Sequence, residues 1–159
     1  MNSGKLMSLL MVHQMRVFTT ADVMTLTGLR KDATSHALKR LEGQGLVQKI
    51  KRGVWISKLS GELSPFEVIP HLTAPWPSYV SLESALAHWG IVSQIPAVIY
   101  GVTPGKPMKC KTPLGEFHIR HIDRQLFGNY ISLGSGGSRY PMATPEKAFV
   151  DTLYFRYRL

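Results

Sequence analysis

Apolar positions follow two rhythms along this chain of 159 residues. Through residue 45 they recur at three- and four-residue intervals, the period of helices buried on one side. Leu6, Leu9, Leu10 and His13 predict a first helix over 2–14. FTTADVMTLTG (18–28) predicts a short second one, with Thr19 or Thr20 as its cap, Asp22 near its positive end and Gly28 as its stop. Val23 and Leu26 give it an inward side. A third helix is expected within LRKDATSHALKRLEGQG (29–45), where Thr34, Leu38 and Leu41 form the inward stripe and Ala37 flanks it. Gly43 and Gly45 close it. Two short apolar runs follow, LVQKI (46–50) and VWI (54–56), joined by Lys51, Arg52 and Gly53, which predicts a β-hairpin with a basic tip.

After residue 60 the rhythm shortens. SPFE (64–67) has Ser, Pro and Glu at capping-box spacing, so a helical segment should begin there, and Pro70 should kink it or end it early. YVSLESALAHWG (79–90) predicts a loop or short strand and then a helix capped by Ser81, with Leu82, Ala85, Leu86 and Trp89 inward and Gly90 as its stop. AVIYGVT (97–103) has strand composition. MKCKT (108–112) with EFHIRHI (116–122), and NYISL (129–133) with RYPMA (139–143), predict two hairpins. TPEKAFVDTLYF (144–155) predicts a last helix with Thr144 as cap and Pro145 at its first position. Ala148, Phe149, Leu153 and Phe155 supply its apolar surface. The expected fold class is α+β: an N-terminal winged helix-turn-helix, then an α+β domain with a small antiparallel sheet.

Composition divides the chain in the same place. All ten prolines lie after residue 64, and thirteen of the fifteen Phe, Trp and Tyr residues after residue 60. The expected organisation is a winged helix-turn-helix over 1–58, a linker with a short helix over 59–77 and a second domain over 78–159. The formal net charge is +9, and residues 1–60 hold ten basic against three acidic residues, the remainder nine against seven. A basic half beside a near-neutral one points to a polyanion-binding module joined to something else. No apolar run approaches the roughly 18 residues a membrane span needs, and LMSLLMV (6–12) lacks the flanks of a signal peptide. A single cysteine, Cys110, excludes an internal disulfide and a multi-cysteine zinc site. A cytoplasmic protein with an inert thiol is expected.

The chemistry of the basic half suits double-stranded DNA. A helix fits the major groove, where short polar and cationic side chains reach base edges. Ser35, His36 and Lys39 are assigned to the groove. Thr20, Arg30, Lys31 and Arg40 are assigned to phosphates, with Lys51 and Arg52 on the wing over the backbone or in the minor groove. The plainer alternative is a solvated helix surface, and some winged helices serve protein contact instead. ALKRLEGQGLVQKIKRGVW (37–55) resembles the recognition helix and wing of bacterial winged-helix regulators in general.

YVSLESALAHWGIVSQIPAVIYGVT (79–103), followed about forty residues later by ATPEKAFVDTLYF (143–155), looks like the C-terminal domain of AbiEi-type antitoxins. The similarity covers most of the chain and includes the order of a winged helix, a short joint and this domain. Its most specific pieces are the Ser-Ala-Leu helix ending in Gly-Ile and the Thr-Pro-Glu-Lys-Ala…Asp element. The resemblance implies an autorepressor of a type IV toxin–antitoxin pair, whose second domain counteracts a nucleotidyltransferase-like toxin. It departs from the pattern at RYRL (156–159), where many members continue with more helices.

Other groups have plainer readings. Glu116, His118 and His121 are the only cluster of metal-ligand types, but along a strand His121 points away from the other two, so no metal is expected. GSGGS (134–138) lacks the Gly-Lys-Ser/Thr ending of a phosphate loop and reads as a turn. Glu146 is explained by the helix start, Lys147 by solvent, and Asp151 by a structural role accepting hydrogen bonds from a neighbouring loop. The expectation is a repressor without catalysis or cofactor, bound to an inverted-repeat operator, with a homodimer on DNA as one arrangement. The alternatives are a nucleic-acid-processing enzyme with a nuclease-like second domain, and an adaptor that uses its winged helix without DNA.

Overall fold

A computed structural model describes residues 1–157 of the chain; positions 158 and 159, the end of the expected second domain, lie outside the described residues. The chain is mixed α+β and forms two compact units, Met1–Ser64 with Gly136–Ser138, and the segments from Pro65 to Ser135 and from Arg139 onward. None of the described helices is long and apolar enough to cross a membrane.

The first unit runs α1 (Ser3–Val12), β1 (Val17–Thr19), α2 (Thr20–Thr27), α3 (Lys31–Gly43), β2 (Val47–Lys51) and β3 (Val54–Ser57). Asn2 caps α1 by accepting from the Lys5 N–H at 2.8 Å, and His13 lies past its end, exposed rather than on the inward stripe. Thr19 starts α2 through a reciprocal capping box: its hydroxyl accepts from the Asp22 N–H at 3.0 Å, and the Asp22 carboxylate accepts from the Thr19 N–H at 2.7 Å. Gly28 ends α2 at φ 71°, a left-handed turn that a side chain would strain. Leu6, Leu10, Phe18, Val23, Leu38, Leu41 and Trp55 belong to one apolar cluster under these elements.

The three strands form an antiparallel sheet in the order β1-β3-β2. Strand β1 is an element the apolar rhythm does not reveal. Three residues are too few to set a period, and β1 is defined by its ladder with β3, in which Phe18 faces Trp55.

In the second unit, Pro65–Val68 forms one 3₁₀ turn leading into α4 (Ile69–Thr73). Pro70 sits in the first turn of α4, where no N–H is required, and the 3₁₀ turn gives way to α4 just before it. Val68, Ile69 and Leu72, within the expected linker, are buried in this unit. The chain continues through β4 (Tyr79–Val80), α5 (Leu82–His88), β5 (Val98–Thr103), β6 (Met108–Thr112), β7 (Gly115–His121), β8 (Tyr130–Leu133), β9 (Tyr140–Ala143) and α6 (Pro145–Tyr157).

The sheet is not the small antiparallel one expected. It has six strands in the order β6-β7-β5-β4-β9-β8 and is mixed. The β6–β7 and β8–β9 pairs are antiparallel, as the hairpin signals imply. The chain crosses from β5 to the edge at β6, so β7 returns between them, parallel to β5. Val80 of β4 pairs in parallel with Met142 of β9. These pairings join segments far apart in sequence, which local hydrophobic pattern does not encode.

A buried polar network holds α6 to β4. Asp151, 1% exposed, accepts from the Tyr79 hydroxyl at 2.9 Å and the Ser81 hydroxyl at 2.7 Å. Its other oxygen faces the Lys147 ammonium at 2.9 Å, and that ammonium also donates to the Leu126 carbonyl. The structural role expected of Asp151 is present, but Lys147 is buried, not solvated. The spacing i, i+4 aligns the two along α6, and an unpaired buried carboxylate would be costly. Ser81 precedes α5 as expected, yet its side chain makes no cap hydrogen bond; its hydroxyl donates to Asp151. Thr144 does accept from the Lys147 N–H, at 3.2 Å, as the cap of α6.

Burial, and then the charge and hydrogen bond of Asp151, push the Tyr79 phenol above its ordinary value of 10.0. The folded protein therefore keeps this proton where the unfolded chain releases it, above pH about 10. The unfolded state then binds fewer protons, so stability falls as pH rises through that range, by up to about 1.4 kcal/mol per pH unit. Tyr79→Phe is expected to remove this contribution; urea unfolding of both forms between pH about 8 and about 11 checks the slopes.

Candidate nucleic-acid interface

Burial of one side of α3 decides what its other side presents. Thr34, Ala37, Leu38 and Leu41 are buried, and Thr34 returns its hydroxyl to the Arg30 carbonyl at 3.0 Å. At about 100° per residue, the direction opposite this seam is occupied by Asp32, His36 and Lys39, all exposed. Ser35 is half-buried beside them. Lys31 and Arg40 fall on opposite flanks of the helix, so the residues assigned to DNA span about half its circumference instead of forming one narrow ridge.

Each cation has its own setting. Arg30 is exposed at the N-cap position of α3 and makes no side-chain cap there. Lys31 is exposed in the first turn, with Asp32 next to it. The Asp32 carboxylate complements the positive helix end. Arg40 donates from its guanidinium to the Met1 carbonyl at 3.1 Å, which draws it toward the start of the chain. Lys39 is exposed at the centre of the outward side.

The hairpin tip is fixed from within the unit. Arg52 is exposed and Lys51 half-buried, and Gly53 takes φ 78° to close the turn. The Thr20 N–H donates to the Gly53 carbonyl at 3.0 Å. The Trp55 indole N–H donates to the Thr20 hydroxyl at 3.1 Å. The structure thus brings Thr20, assigned to a phosphate, onto the hairpin that carries Lys51 and Arg52. The same hydroxyl is already an acceptor for Trp55, and its proton remains to donate.

Three positions that hold this surface in place are missing from the sequence assignment. Trp55, whose indole donates to Thr20, is the first. Lys49 lies over the Trp55 ring at 5.8 Å and donates its N–H to the Glu42 carboxylate at 2.8 Å, which ties β2 to the end of α3. The register Lys49↔Trp55, broken by a bulge before Lys51, carries the signal, but only once the strands are paired. Arg16 donates to the carbonyls of Ser60 and, at 2.6 Å, Glu62, and anchors the segment that leaves β3.

The second unit offers less chemistry. The His118 ring meets the Glu116 carboxylate at 2.9 Å, and this hydrogen bond holds the carboxyl below its ordinary range. The His121 ring instead bonds the Gly105 carbonyl at 2.9 Å. Among the described residues, no group of three His, Cys, Asp or Glu is placed to hold a metal ion. A cavity of about 310 Å³ is lined by apolar side chains including Phe66, Ile95, Pro96 and Ile99, with His88 its one titratable lining residue.

No protein-family model and no curated protein matches the chain.

Thr20→Val keeps the shape of residue 20 and removes the acceptor for the Trp55 indole. An unfolding free energy lower by about 1–3 kcal/mol is expected, read by urea titration without nucleic acid. Thr20→Ser should retain most of the stability.

Proposed function

We propose that the first unit is a winged helix-turn-helix that binds double-stranded DNA, and that the chain is a transcriptional repressor acting by equilibrium binding, without catalysis. The observation that carries this reading is the outward side of α3: His36 and Lys39 stand exposed opposite a fully buried seam, with Lys31 and Arg40 on the flanks. A helix presented this way suits the major groove. The hairpin is then the wing, and its Arg52 adds a phosphate contact. Ser35, His36 and Lys39 are the base-reading residues; Thr20, Arg30, Lys31, Lys51 and Arg52 hold phosphates. Arg40 makes the weaker phosphate contact, since it must leave the Met1 carbonyl to do so. The operator is an inverted repeat if two copies bind side by side.

The resemblance of 79–103 and 143–155 to AbiEi-type antitoxins supports the further reading that this is the autoregulating antitoxin of a type IV pair in the cytoplasm. The second unit would then neutralise a nucleotidyltransferase-like toxin. A downstream gene for such an enzyme, whose toxicity is relieved by co-expression of this chain, is the supporting result.

A gel shift with DNA from upstream of the chain's own gene, with and without divalent metal, tests the DNA reading directly. Retention of intact duplex is expected; cleavage would favour a nuclease. In a salt series, Lys39→Ala and Arg52→Ala should each flatten the log–log slope by about one, and Arg40→Ala by less. Retention indifferent to salt and to all three substitutions would sink the proposal.

A further inference from the structure

We infer that α6 is a self-association surface through which two copies of this chain pair antiparallel about a two-fold axis. The inference uses α6 alone and stands whether or not the first unit binds DNA. One side of α6 is committed to the interior through Ala148, Lys147 and Asp151. The other side is apolar where a solvated helix would be polar. Phe149 and Val150 are each 53% exposed and Tyr157 64%, with half-buried Leu153 between them. Residues 149, 150, 153 and 157 follow the i, i+1, i+4, i+8 pattern of one continuous stripe.

Charge complementarity selects the occupant. Glu146 lies exposed at the start of this stripe and Arg156 exposed near its end, ten residues and about 15 Å apart, too far to pair within one helix. A second α6 running in the opposite direction brings Glu146 of each copy to Arg156 of the other and stacks Phe149 of each on Leu153 of the other. Parallel pairing would set like charges together. The arrangement is isologous, so each favourable pair occurs twice. Nine basic and seven acidic residues after position 60 leave this half of the chain near neutral, so little charge repulsion opposes contact there. A helix of 13 residues is about 20 Å long, and its face is small beside a standard interface, so a weak association is expected and the test is made at micromolar concentrations.

Sedimentation equilibrium of the full chain, from about 1 to about 200 µM, tests this. The wild type is expected to pass from monomer to dimer across that range. Val150→Glu, at a half-exposed position, should weaken association at least about tenfold, and Val150→Ser supplies the same test with less risk to the fold. Glu146→Arg and Arg156→Glu should each weaken it roughly threefold to tenfold, and the double exchange should recover most of the loss. Thermal unfolding at low concentration confirms that each variant is folded. A wild-type chain monomeric throughout overturns the inference, as does association unmoved by Val150 substitution. Failure of the double exchange to recover what the singles lose overturns the antiparallel pairing. None of these outcomes depends on DNA retention, so the two readings fail separately.

Discussion

The inward seam of α3 is the constraint on which the first unit depends. Ala37, Leu38 and Leu41 enter the same apolar cluster as Leu6 and Leu10 of α1, Val23 of α2 and Trp55 of β3. Burial of this kind is worth about 1.5–3 kcal/mol per large aliphatic side chain. Rotating α3 by one residue would exchange Leu38 for Lys39 and bury a cation without a partner. The rotation of the helix is therefore fixed by packing, and the direction in which His36 and Lys39 point follows from it. On the polar residues of the helix, the hydrogen bonds that Arg40 donates to the Met1 carbonyl and Glu42 accepts from the Lys49 N–H act in the same sense.

Much of this was legible in the sequence because helices announce their faces locally. Thr34, Leu38 and Leu41 mark the seam at helical spacing, Gly28 marks the end of α2, and Lys51-Arg52-Gly53 marks the turn. What could not be read depends on pairing at a distance. Strand β1 is visible only through its ladder with β3, and the indole of Trp55 reaches Thr20 only after that ladder forms. Among the cations, a sequence cannot tell Lys39, which stands clear, from Arg40, which turns to the Met1 carbonyl.

The second unit shows the same division more sharply. Its hairpins β6–β7 and β8–β9 were readable from short strands around glycine-containing turns. Their insertion into one mixed sheet was not, because β4 joins β5 on one side and β9 on the other. Lys147 illustrates the limit for single residues. A lysine in the first turns of a helix is ordinarily solvated, and only the folded sheet shows that it balances a carboxylate carrying two hydroxyl donors. Asp151 was easier to single out, since a charge among aromatic and aliphatic neighbours needs partners wherever it is buried.

The tie between Gly53 and the first N–H of α2 bears on the thermodynamics of the hairpin tip. With that carbonyl held and the adjacent strand anchored by an indole, the main chain there loses its freedom when the domain folds. Any anion that docks on Arg52 has only one side chain left to immobilise, and the entropy of arranging a loop does not enter its affinity.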